Sequence, residues 1–273
     1  MLRKLLKYDF RCMFKQFAMI WPAAVAVALI NCVLNSAGDS VLNNNENSVN
    51  LIFMLIFVGV MIAMAVIAAV FVITRFNSGL LRDEGYLMFT LPVKPRQLIM
   101  SKLITAMTVV IVSGIVAIIS ILLLSAAALN WGILLEQMKK FGAEMLRYTA
   151  ENPQWIVVAA ESVLAGILSV ASGILLVYFA IAVGHLFSRH RIAASVIAYV
   201  LISSVGSQVL GFVVRALAET ELMEWFMDTM FLFGSSFKVT ISVLAVMILI
   251  NLIYCAVWFF GTNYILSRKL NLE

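Results

Sequence analysis

Few side chains in this sequence are equipped for chemistry, and their spacing excludes most of it. The two histidines, His185 and His190, flank the end of one apolar stretch and have no third ligand near them in sequence. Cys12, Cys32 and Cys255 are far apart and form no C-x-x-C pair or metal-ligand spacing. No G-x-x-x-x-G-K-[ST] loop is present to cradle phosphates, and no H-E-x-x-H helix is present to hold zinc. Glu161 is the one acid near the start of an apolar stretch, and an acid inside a membrane span is a candidate for a transport path. It cannot pair with His185, because 24 residues of helix separate them by roughly 36 Å. The expectation is a chain with no catalytic residue, no metal and no cofactor of its own.

The elements that must position these residues are membrane helices. The chain has 273 residues, of which 63% are apolar and 12% charged; soluble domains carry roughly 25% charge. Residues 16–38, 47–74, 103–135, 162–188, 192–214 and 239–267 contain no Asp, Glu, Lys or Arg. Each run is long enough for the roughly 20 residues a helix needs to cross the hydrocarbon core. None has the charged face that a helix in a soluble domain requires. The fold expected is an all-α integral membrane protein with six transmembrane helices, forming a single transmembrane domain over 1–273. A basic start followed by an apolar run resembles a signal peptide. The run is long and "LINCVLNSAG" is a weak cleavage site, so an uncleaved first span is expected.

Six spans place both termini on one side. Of the 19 Lys and Arg residues, 14 then fall on the terminal side, in 1–15, 75–102, 188–191 and the C-terminal tail. The positive-inside bias puts that side, and both termini, in the cytoplasm. Residues 1–17 combine Arg3, Lys4, Lys7, Arg11 and Lys15 with an apolar stripe of Leu2, Leu6, Phe10, Met13 and Phe17. The pattern predicts an amphipathic helix lying on the cytoplasmic leaflet, either as a topology anchor or as a lever touching a partner. The external segments 130–152 and 216–237 predict an interfacial helix and a short re-entrant or interfacial helix before the sixth span. Ala165, Ser169 and Gly173 form a small-xxx-small ladder, which favours close helix approach.

The most informative stretch is the cytoplasmic connection 75–102, "RFNSGLLRDEGYLMFTLPVKPRQLIMSK". A polar cluster, Arg82–Asp83–Glu84–Gly85, is followed by Tyr86, Leu87, Phe89 and Leu91. Pro92 and Pro95 bracket a turn, stopping one helix and letting the next begin. A plain loop between two spans would be shorter and more polar, and this one has the content of a docking element.

Asp83, Glu84, Gly85, Tyr86 and Leu87, then Leu91–Pro92 and Lys102, resemble the cytoplasmic connection of ATP-binding-cassette (ABC) transporter permeases of the type-2 export class, as found in Gram-positive bacteria. The basic N-terminal helix, six spans and cytoplasmic termini extend the resemblance over nearly the whole chain, although only 82–102 is specific in sequence. The resemblance implies a permease in the bacterial plasma membrane, paired with a second permease, identical or homologous. It also implies a separate ATPase subunit that binds ATP and Mg. Arg82, Asp83, Glu84, Gly85, Tyr86, Leu87, Leu91 and Pro92 would form the coupling contact with that ATPase. Spans two and five would line the path, offering Met54, Phe57, Met61 and Met64, then Tyr199, Ser203, Ser204 and Gln208, with Glu161 on span four. That lining suits an amphipathic or hydrophobic substrate: a peptide, a lipid or a drug. Membrane lipid is a further expected contact, and nucleic acid is not. The competing expectation is a membrane scaffold or sensor subunit that binds a partner ATPase without transporting.

Overall fold

The structure, a computed structural model, describes residues 2–41, 46–81, 95–129, 131–187, 190–218 and 236–268. Among these residues every element is an α-helix: α1 (Leu2–Val41), α2 (Glu46–Leu81), α3 (Pro95–Leu129), α4 (Trp131–Glu151), α5 (Gln154–Gly184), α6 (Arg191–Ala218) and α7 (Ser236–Arg268). Six of the seven are long and apolar enough to cross a membrane: Leu5–Val33, Leu51–Asn77, Pro95–Leu124, Gln154–Gly184, Arg191–Gln208 and Thr240–Ser267. Each overlaps one uncharged run of the sequence, the first also taking in Lys7, Asp9, Arg11 and Lys15. Helices satisfy every backbone donor and acceptor within the segment, which is why spans lacking polar surface adopt them in lipid.

Local sequence explains the helix ends. Pro95 opens α3, where a missing N–H costs nothing because the first turn has no intrahelical acceptor. Pro153 precedes α5, and a turn bonded from Trp155 N–H to Asn152 carbonyl leads into it. α4 carries the chain's marked amphipathic pattern: Leu135, Met138, Phe141 and Met145 alternate at helical spacing with charged residues. Its Glu136–Lys140 ion pair is fully on the surface, one turn apart at 2.8 Å.

The chain divides into two compact units. The first comprises 1–75 and 100–148, the second 76–99 and 149–273. In the first, α1 presents Met13, Phe17, Ala24 and Ala28 as a buried stripe, and α2 presents Phe57, Met64, Ala68 and Phe71. Phe17 meets Phe71 edge-on with centroids 5.3 Å apart, and Val109 of α3 completes that cluster. Trp21 donates its indole N–H to Ser113 Oγ at 3.0 Å, tying α1 to α3 inside an otherwise apolar contact.

This arrangement differs from the helix expected on the membrane surface. One helix runs unbroken from Leu2 to Val41, with Pro22 inside it. Met13 and Phe17, the inner part of the expected lipid-facing stripe, are buried against α2 and α3. No glycine or proline stands between residues 2 and 21 to break the helix, so the amphipathic segment continues directly into the span.

In the second unit, α5 packs against α6 and α7. Ser172 Oγ donates to Asn251 Oδ1 at 3.0 Å, and Asn251 Nδ2 returns to the Met247 carbonyl at 2.9 Å. Phe76 stacks on Tyr178, centroids 4.0 Å apart and rings nearly parallel. The close approach falls at positions other than the expected ladder. Ser169 and Gly173 face outward, and a Cβ on Gly173 would meet nothing within 4 Å. The buried stripe of α5 is instead Ala171, Leu175, Tyr178 and Ala182. The tight contacts are at Gly261, where a Cβ would lie 2.6 Å from the Phe179 ring, and at Gly184, 2.6 Å from Ser195 Cα.

Candidate functional site

Three charged side chains from α1, α2 and α3 converge in the first unit. Asp9, in the second turn of α1, has no exposed side-chain surface. Its Oδ1 accepts from Arg75 Nη2 at 2.7 Å and from Lys102 Nζ at 2.6 Å. The Lys102 side chain is 1% exposed and that of Arg75 12%. The Arg75 guanidinium also lies 5.3 Å from the centroid of the Tyr8 ring, a cation–π contact on its outer side. Ser101 and Thr105 are buried beside Lys102, with Thr105 Oγ1 bonded back to the Ser101 carbonyl at 2.9 Å.

Helix geometry explains the convergence. Arg75 stands one turn beyond Phe71, and Asp9 one turn before Met13 on the stripe that meets Phe71. Lys102 precedes Val109 on α3 by two turns, on the same side. The apolar cluster therefore sets the three helices in register, and the next turn of each brings a charge to a common point. Arg75 and Lys102 bound the uncharged stretches of their spans, so the cluster sits at one end of three spans.

Two cations share one carboxylate oxygen, while Asp9 Oδ2 is buried and has no hydrogen-bond partner. Buried ion pairs of this kind repay their desolvation only partly, whereas removing one member leaves an uncompensated buried charge at a cost of about 3–5 kcal/mol. The arrangement can hold two helices rigidly to a third.

Arg75 and Lys102 are the first and last residues of the connection singled out in the sequence. Asp9 was not among the residues singled out. Its signal was available: it is the sole acid of the first 38 residues and stands among five basic residues in the first 15. The expected coupling contacts, Arg82, Asp83, Glu84, Gly85, Tyr86, Leu87, Leu91 and Pro92, lie outside the described residues.

The expected path residues take varied positions. Phe57 and Met64 are buried at 5% and 4% exposure on the packing face of α2, Met61 is half-buried, and Met54 faces outward. On α6, Tyr199, Ser203, Ser204 and Gln208 are exposed, with Tyr199 and Ser203 one turn apart on one face. Glu161 is half-buried on α5, and its Oε2 is buried without a hydrogen-bond partner. His185 closes the C-terminal end of α5, its Nδ1 2.9 Å from the Ile181 carbonyl. Among the described residues no group of three or more His, Cys, Asp or Glu side chains could hold a metal ion.

No protein-family model matches the chain, and neither a curated protein nor a solved structure does.

Proposed function

We propose that this chain is the membrane-spanning permease subunit of a bacterial ABC transporter of the type-2 export class. It would work as a pair of permeases above separate ATPase subunits that bind ATP and Mg. In this reading both termini and the 75–102 connection are cytoplasmic, on the side favoured by 14 of the 19 basic residues. The support in sequence is the Asp83–Leu87 run with Leu91–Pro92 and Lys102 on an overlong connection between spans two and three.

The observation that carries the reading is the double ion pair of Asp9. A segment that receives a push from an ATPase must pass it to the spans without yielding at its roots. Arg75 and Lys102, the two ends of the connection, are both bonded to one carboxylate on α1. Displacement of the connection would move α1, α2 and α3 together as stiff helices. The cargo expected is amphipathic or hydrophobic, and it must bind the inward and outward states differently for hydrolysis to drive its movement.

The test is to express the tagged chain in its native host, purify it in mild detergent and identify the proteins bound to it. The expected result is an ATPase with a phosphate-binding loop whose hydrolysis in liposomes rises with an amphipathic cargo. Absence of such an ATPase refutes the reading. A bound ATPase whose hydrolysis ignores every cargo, with no cargo moved, points to the scaffold or sensor alternative.

A further inference from the structure

Two adjoining cavities run along one face of α6 in the second unit. The first, about 700 Å³, opens beside Phe187 and His190 and continues past Ala194 and Ala198. The second, about 650 Å³, is lined at its far end by Phe179, Gly206, Tyr254 and Trp258. Leu201 and Ile202 belong to the walls of both, so the two meet there. Together they follow α6 from His190 to Gly206, sixteen residues or roughly 24 Å of helix.

The lining dictates what can fill this groove. Its middle is hydrocarbon only, and the Tyr254 hydroxyl at the far end faces the Gly206 carbonyl at 3.5 Å. A water molecule needs two or more polar partners, which such walls do not offer. Both hollows are open along one side, where Ile197, Leu201, Val205 and Ile253 are exposed, so the surrounding medium can enter them. The groove lies along a span, where the surrounding medium is lipid chains. Its depth exceeds half of the roughly 30 Å hydrocarbon core, enough to take an acyl chain along its length.

The mouth has the opposite character. His190 and Arg191 are exposed at the start of α6. There the unpaired N–H groups of the first turn add partial positive charge. We infer that this groove is a binding site for one anionic phospholipid of the surrounding bilayer, an acyl chain lying along α6 and the phosphate at Arg191. Small side chains make the space: a Cβ on Gly206 would meet nothing within 4 Å, and Ala194 and Ala198 thin the wall. The site does not depend on the transporter reading.

The experiment uses the full chain, purified in mild detergent and stripped of lipid. It is titrated with phosphatidylglycerol or phosphatidylcholine of matched chains, and bound lipids are counted by native mass spectrometry. The expected result is one phosphatidylglycerol bound ahead of all others. Gly206→Leu, which fills the groove, should weaken that first binding at least tenfold. Val205→Phe, which fills it from the rim, serves as a second variant where Gly206→Leu does not fold. Arg191→Gln should weaken phosphatidylglycerol roughly fivefold, from about 1 kcal/mol for one basic residue at a lipid surface, and leave phosphatidylcholine unchanged. Val66→Leu, on an exposed face of α2, should change neither lipid. Equal binding of the two lipids by the unaltered chain, unaffected by either groove-filling variant, overturns the proposal in favour of ordinary surrounding lipid. Quantitative disulfide formation between two Gly206→Cys copies in membranes also overturns it, because a second copy then occupies the groove.

Discussion

Replacing Asp9 with alanine should be far more damaging than replacing either cation that it binds. Asp9→Ala removes two charge-assisted hydrogen bonds, at 2.6 and 2.7 Å, and takes the Asp9 carboxylate away from an ammonium that is 1% exposed. Breaking one buried pair costs about 3–5 kcal/mol. Here both pairs break and two like charges remain around the vacated site, so the loss should reach about 5 kcal/mol or more. That is a third or more of the roughly 5–15 kcal/mol that usually holds a fold together. Lys102→Met behaves differently. It removes one cation, keeps most of the buried chain volume and leaves the Asp9–Arg75 ion pair in place, so its effect should stay within about 1–2 kcal/mol. The assay is thermal unfolding of the detergent-solubilised chain, followed by size-exclusion chromatography with fluorescence detection. Asp9→Ala should accumulate poorly or melt far below the unaltered chain, and Lys102→Met should melt close to it. Equal losses in the two variants would refute the claim that the Asp9 carboxylate anchors both cations. A second arm separates stability from function. Asp9→Leu, Arg75→Met and Lys102→Met combined exchange the whole cluster for apolar packing, which often leaves stability unchanged or improved. On the transporter reading, that variant should fold yet show hydrolysis no longer linked to transport.

Other outcomes follow from the remaining features. On the transporter reading, Tyr86→Ala should leave the chain in the membrane but weaken retention of an ATPase roughly thirtyfold, the effect of losing an anchor worth about 2 kcal/mol; co-purification checks this, and full retention together with an Asp83→Ala, Glu84→Ala variant would dismiss the coupling contact. With the native cysteines replaced, Asn45→Cys should react with an impermeant thiol reagent added to intact cells and Met88→Cys should not; the reverse would invert the topology. Gly261→Leu should lower thermal stability by about 1–3 kcal/mol, because its Cβ alone would lie 2.6 Å from the Phe179 ring, whereas Gly59→Leu, with nothing within 4 Å, should be nearly silent.

The spans were legible because lipid imposes one simple rule on composition. Every uncharged run became a helix long enough to cross, since a chain in hydrocarbon has few other ways to satisfy its backbone. Pro95 as a helix start was equally plain. What could not be read was the partner of each face. Leu6, Phe10, Met13 and Phe17 present the same stripe to lipid or to another helix, and apolar surface does not distinguish the two. Burial of Met13 and Phe17 depends on where Phe71 and Val109 stand, which is tertiary information. The Ala165–Ser169–Gly173 ladder misled for a related reason. Small residues permit close approach without requiring it, and the neighbouring stripe through Ala171 and Tyr178 was the one used.

The ion cluster shows what charge adds to packing that apolar contact cannot. The stripes of α1 and α2 meet through Met13, Phe17, Ala68 and Phe71, and such surfaces tolerate sliding at modest cost because one apolar contact replaces another. Shifting α2 by one residue moves a side chain about 1.5 Å along the axis and turns it by about 100°. For Phe71 that exchanges one neighbour for a similar one. For Arg75 it draws the guanidinium away from Asp9, the sole acid of the first 38 residues. Because Lys102 reaches the same oxygen, α3 is held to the same register. The cluster therefore adds little net stability and fixes one alignment of three helices at the roots of the 75–102 connection. A fixed alignment at that point is what a connection needs if it is to transmit a displacement rather than absorb it.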